Sequence, residues 1–190
     1  MTLSSRSSRR RFLAGAGGAG FILVAGCSNG VGSRSAEAID ARVDTTLQFL
    51  YTKYPGTWDL AQKATGMLVM PLVTEASFGI GGSYGRGALR IGGTSVDYYS
   101  ATQASIGFQI GAQQYAHVLF FMTDEALAAF RTGPGWVAGA DIKYAVSNRG
   151  DRFSADTVTA TTPVVALVFG QAGLIVGASL EGTKYTRIKA

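Results

Sequence analysis

The sequence predicts an α+β fold in which N-terminal helices pack on a curved, mainly antiparallel β-sheet or barrel. Three observations predict it. Ile39, Val43, Leu47 and Leu50 fall on one stripe of a 3.6-residue period. From Ala76 the chain changes to a period of two, with Ala76, Phe78, Ile80, Gly82 and Tyr84 on one face and Ser77, Gly79, Gly81, Ser83 and Gly85 on the other. Gly92-Gly93 then separates two strand-like runs, 88–91 and 95–99, as a two-residue hairpin turn joins antiparallel neighbours. With 190 residues and 47% hydrophobic content, there is room for one domain with a sizeable core.

The first element is a targeting segment. Arg6, Arg9, Arg10 and Arg11 precede an uncharged stretch from Phe12 to Ala25, and no acidic residue occurs before Glu37. The middle of the stretch is Gly/Ala-rich and shorter than the roughly 20 apolar residues a membrane-spanning helix needs. Ser8-Arg9-Arg10-Arg11-Phe12-Leu13 resembles the twin-arginine export motif. Val24-Ala25-Gly26-Cys27 resembles a bacterial lipobox, in which the thiol takes a lipid and the chain is cut just before the cysteine. We therefore expect residues 1–26 to be a cleaved export signal, Cys27 to be the lipidation site, residues 27–35 to be a flexible linker, and 36–190 to form one domain. Ser28 after the cysteine resembles the outer-membrane default, which predicts an outer-membrane lipoprotein of the cell envelope. Cys27 is the only cysteine, so neither disulfides nor cysteine metal sites are expected.

Charge follows the same division. The whole chain carries 17 basic and 12 acidic residues, and subtracting the four signal arginines leaves 13 against 12. The basicity belongs to the export segment, so no nucleic-acid partner is expected.

The helical stripe ends at Pro55-Gly56, after which Thr57 is expected to cap a short helix through Ala64. Met67-Leu68-Val69-Met70 is a short apolar run closed by Pro71. In the alternating stretch that follows, the face of Ser77, Gly79, Gly81, Ser83 and Gly85 has almost no side-chain volume. Another backbone, a helix or a ligand must come close to it, or the chain is turning a barrel corner. The same design recurs at 105–113, and close neighbours are expected at Gly81 and Gly107. Tyr115 to Met122 is apolar on both faces, as in a central covered strand. Thr123, with Asp124 and Glu125, is expected to start a short helix ending at Gly133-Pro134-Gly135. Further strands are expected at 137–146, 153–160, 164–169, 174–180 and 183–188, with Gly170-Gln171-Ala172-Gly173 joining two of them.

Seven glycines between Gly79 and Gly93 raise the question of a phosphate loop. Gly79, Gly81 and Gly85 have the wrong spacing for a dinucleotide fingerprint, no Gly-Lys pair follows, and the segment continues as strand, so no nucleotide cofactor is expected. Nor is an enzyme expected. The single histidine, His117, lies inside an apolar strand with no ligand-spaced partner, and no G-x-S-x-G elbow exists.

The runs "MPLVTEASFGIGGSYGRG", "SIGFQIGAQ", "VLFFMT" and "AGLIVGASLEGTK" resemble the SYLF domain family, also called the yeast actin-binding-domain family, over roughly residues 36 to 188. The family's Trp-Ser pair stands here as Tyr99-Ser100. The resemblance implies an affinity for lipid membranes and, in some members, for actin. The expected function is that of a membrane-anchored envelope lipoprotein whose domain binds an anionic lipid or amphiphile. The alternative is a non-catalytic structural or protein-interaction module on the membrane surface. Arg86 and Arg90 are the expected headgroup contacts, because guanidinium groups suit phosphate oxygens. Tyr98 or Tyr99 is the expected interfacial aromatic, since adjacent strand residues point to opposite faces.

Overall fold

A computed structural model describes residues 33–139, 142–144, 162–170, 173–175 and 179–190. The lipobox and Cys27, the strand expected at 153–160, and parts of those expected at 137–146 and 174–180 lie outside the described residues.

Helix α1 spans Ser33–Lys53, and its whole apolar stripe is buried. The helix starts inside the expected 27–35 linker. Ser33 and Ser35 are indifferent helix formers, but Arg86 Nη1 donates to Ser35 Oγ at 3.4 Å, a tertiary contact the local sequence could not show. Pro55 closes the helix, and α2 follows at Gly56–Lys63. Thr57 is not the cap. It is buried inside the first turn, and its hydroxyl donates back to the Tyr54 carbonyl at 2.7 Å.

The centre of the fold is one very long hairpin. Strand β1 (Gly66–Ile91) pairs antiparallel with β2 (Thr94–Phe121) from Gly66↔Phe121 to Ile91↔Thr94. The turn is Gly92-Gly93 with φ of 58° and 83°, the left-handed pair that a two-residue hairpin requires. Register shifts at Met70/Val73, Phe78/Gly79 and Leu89/Arg90 mark irregularities of the kind that bend and twist a ribbon. The ribbon curls so far that the first half of β1 touches the inward face of its second half. A β-carbon on Gly85 would lie 2.7 Å from Val73 Cγ2 and 2.8 Å from the Leu72 carbonyl oxygen, and one on Gly87 would overlap the carbonyl oxygen of Val69. The close-approach and corner explanations of the small-residue face therefore both hold, with the crowding at Gly85 and Gly87. Gly81 is half-buried, and the surroundings of Gly107 lie outside the description.

The remaining strands attach to the two halves of β2. Its second half pairs with β5 (Val164–Gly170), and its first half pairs with β7 (Lys184–Ile188). Short β3 (Trp136–Val137) adds to β7, β6 (Gly173–Leu174) pairs antiparallel with β5, and β4 (Lys143–Tyr144) pairs with β5 in the one parallel ladder among the described strands. The described residues form a curled half-barrel with three helices, the α+β arrangement expected. Helix α3 (Asp124–Thr132) starts as predicted, with Thr123 Oγ1 accepting from Ala126 N at 3.2 Å.

Two cores follow from this geometry. Inside the curl, Leu68, Met70, Leu89, Tyr99, Phe121 and Tyr185 pack with Phe130 of α3. Outside it, α1 and Leu60 of α2 cover Val69, Ala88, Val118, Phe120, Val165 and Leu167. Val118 and Phe120 therefore face one core while Leu119 and Phe121 face the other, which is why 115–122 reads as apolar on both sides.

Candidate functional site

Helix α1 runs across the hairpin from its middle to its tip, and polar contacts fix that crossing. Asp40 accepts from Ser95 Oγ at 2.6 Å and from Tyr98 Oη at 2.8 Å. One turn later, Asp44 is ion-paired with Arg90 at 2.7 Å. The two carboxylates, four residues apart on the helix, clip the strands on either side of the Gly92-Gly93 turn.

Beyond this clip the helix, α2 and the turn diverge and leave a cleft of about 730 Å³. That size lies in the range of small-molecule sites. Its apolar wall includes Leu47, Tyr51, Trp58, Ala61 and Met67, and its polar end includes Arg90 and Asp44. Trp58 is 51% exposed and meets Tyr51 edge-to-face at 5.0 Å. Tyr51 donates a weak hydrogen bond to Met67 Sδ at 3.8 Å. Burial raises the Tyr51 pKa, with the nearby Arg90 charge pulling the other way, so its phenol stays neutral. Arg90 is 13% exposed along its side chain, and its Nε is buried without a hydrogen-bond partner. A cation thus sits at one end of an aromatic-lined cleft with donor capacity in hand, while its partner Asp44 is 63% exposed. A smaller groove of about 300 Å³ on α1, between Phe49, Leu72 and Phe169, has no charged residue in its lining.

The four residues expected to form one headgroup patch are separated by the fold. Arg90 lines the cleft, whereas Arg86 lies nearer the start of α1 against Ser35. Tyr98 is half-buried and bonded to Asp40; burial, then the hydrogen bond to that carboxylate, raises its pKa. Tyr99 is buried on the opposite face, tilted against Phe130 at 4.7 Å. Adjacent residues do point to opposite faces here, but both faces are covered, by α1 and by α3. Arg187 caps Tyr99 from solvent, with Nη2 donating to its hydroxyl at 3.4 Å. Sequence reasoning missed Tyr51, Trp58 and Met67 as site residues. They come from three elements, and no spacing links them.

His117 is wholly buried, with Nε2 2.8 Å from the Tyr185 hydroxyl and Nδ1 unpartnered. It is a core residue.

Residues 102–189, from the middle of β2 to just past β7, match the family described as Ysc84, Las17-binding protein actin regulator. The match supports the SYLF domain family for this part of the chain. The matched part of the SYLF domain holds β5, β7 and α3, while the cleft is built mainly from α1, α2 and the hairpin tip that precede it. That description names a regulator of actin. Comparison with curated proteins finds no match.

Proposed function

We propose that the protein is a lipid-anchored lipoprotein of the cell envelope, held in the outer membrane through Cys27, whose SYLF domain binds an anionic amphiphile in the cleft between α1, α2 and the hairpin tip. The observation that carries this reading is the pairing of an apolar wall, from Leu47, Tyr51, Trp58 and Met67, with a mostly buried Arg90 at its end. The wall suits an acyl chain, and the guanidinium suits a phosphate or carboxylate. Asp44, being exposed, can give up its pairing to the ligand and return to water at little cost.

The test is fluorescence titration of the mature chain carrying Cys27→Ser with a lysophospholipid or a long-chain fatty acid. Trp58 emission is expected to shift on binding, and Trp58→Phe is expected to abolish the change even though Trp136 remains. Arg90→Met keeps the apolar stem and removes the charge. It is expected to weaken binding of the anionic amphiphile about tenfold, the ~1.4 kcal/mol of one charge-assisted contact, while leaving a neutral amphiphile unaffected. Absence of any Trp58 response to either class would replace this reading with the protein-interaction module, which the family's description as an actin regulator favours.

The anchor is tested separately. Cys27→Ser is expected to move the chain from the membrane pellet to the soluble fraction or leave it as uncleaved precursor. An unchanged mature mass and membrane partition would refute lipidation at that residue.

A further inference from the structure

The face of the half-barrel near the start of α1 carries a row of exposed side chains across four strands. Tyr84 pairs with Thr102, Thr102 with Lys184, and Lys184 with Val137. Directly paired residues project to the same side of a sheet, so these four lie side by side over about 14 Å at the usual strand spacing. Tyr84 is 52% and Val137 55% exposed, and Lys184 and Thr102 are also exposed. Ile80, four residues before Tyr84 on the same face of β1, is 79% exposed and extends the row. Single exposed apolar residues are ordinary, but here three share one face of the sheet with a cation between them.

We infer that this row, Ile80, Tyr84, Thr102, Lys184 and Val137, is the surface the anchored domain lays against an anionic bilayer. The inference rests on the proposed lipidation of Cys27. Chain length selects the bilayer as occupant. Cys27 lies six residues before Ser33, so the acylated sulfur is held within about 20 Å of the start of α1. That start adjoins this face, because Arg86, two residues after Tyr84 on β1, donates to Ser35 Oγ. The chemistry matches an interface: a branched aliphatic and a small aliphatic for the acyl boundary, a tyrosine for the headgroup level, and a lysine for anionic lipid. The cleft lies toward the other end of α1, about 24 Å along the helix from Ser35 to Tyr51, and so faces the aqueous phase.

The test uses lipidated mature protein on vesicles of zwitterionic lipid with and without anionic phospholipid. Ile80→Cys, Tyr84→Cys and Val137→Cys each give one labelling site for an environment-sensitive dye, since the thioether-linked Cys27 does not react. Thr94→Cys, beside the hairpin turn and about 23 Å along the strand from Tyr84, is the reference. The first three labels are expected to shift to the blue and to be quenched by lipid-borne quenchers, more strongly with anionic lipid, and Thr94→Cys is not. Lys184→Glu is expected to remove the dependence on anionic lipid. Vesicle-bound protein whose labels at 80, 84 and 137 all report water, or whose label at 94 is equally embedded, overturns the inference alone. Protein that fails to sediment and takes a second dye at Cys27 overturns both the inference and the anchor.

Discussion

Gly87→Val is expected to destabilise the domain by at least about 3 kcal/mol, the upper end of what overpacking costs. For a domain of this size that lowers the thermal midpoint by roughly 6–12 °C. The cause is space, not backbone conformation: Gly87 is outside the positive-φ set, but a β-carbon there overlaps the Val69 carbonyl oxygen and lies 2.6 Å from Met70 Sδ and 2.9 Å from the Val69 carbonyl carbon. The methionine tail can move, but the Val69 peptide cannot, because its strand is paired to Val118 of β2. The only relief is to open the curl of the ribbon, which separates Leu68 and Met70 from Leu89 and Tyr99 in the inner core. Gly111→Val is the matched control on the same hairpin. A β-carbon there meets nothing within 4 Å, so its midpoint should stay within the effect of about 0.5 kcal/mol usual for surface changes. Calorimetry of the two variants side by side decides the matter. Equal midpoints would show that the halves of β1 are not in contact.

Acid is expected to destabilise the protein through one residue. His117 is wholly buried between Tyr115 and Tyr185, and burial depresses its pKa from 6.5 to about 3. Above pH 6.5 the imidazole is neutral folded or unfolded, and its titration contributes nothing. Below 6.5 the unfolded chain takes up a proton that the folded chain excludes, so stability falls until the folded pKa near 3 is reached. From pH 6.5 to 4.5 the loss is about 2.7 kcal/mol at ~1.36 kcal/mol per unit. Urea denaturation at a series of pH values above 4.5 keeps most carboxylates out of the window, and the chain has no other histidine to confuse the slope. His117→Gln should start from lower stability, because the bond to Tyr185 is altered, yet lose the dependence between pH 6.5 and 4.5. A variant that retains the full slope would assign the acid sensitivity elsewhere.

Much of the fold was legible because it is written in short-range patterns. The α1 stripe, the Gly92-Gly93 turn, the doubly covered 115–122 strand and the Thr123 cap each depend on residues within a few positions of one another. Thr57 misled because a hydroxyl after Pro-Gly looks like a cap from sequence, whereas the Tyr54 carbonyl was available to accept from it. The relative placement of Arg86, Arg90, Tyr98 and Tyr99 was not legible. Arg90 does line the cleft, but the pairing of Arg86 with Ser35, the bond from Tyr98 to Asp40 and the burial of Tyr99 join residues 51, 58 and 31 positions apart, as no local pattern records.

By itself the sequence determined the α+β class, the leading helices and hairpin turn, the SYLF likeness and the glycine-rich face of the long hairpin, because period, turn chemistry and side-chain size are properties of neighbouring residues; the strand expected at 137–146 is instead two short strands, β3 and β4, with different partners. Only the tertiary structure decided where the ribbon touches itself, that Arg90 rather than Arg86 meets the aromatic cleft, and that Tyr84 and Val137 share a row. Those outcomes depend on how far a 26-residue strand curls, and the curl is the sum of many small twists and irregularities fixed only when both cores close around it.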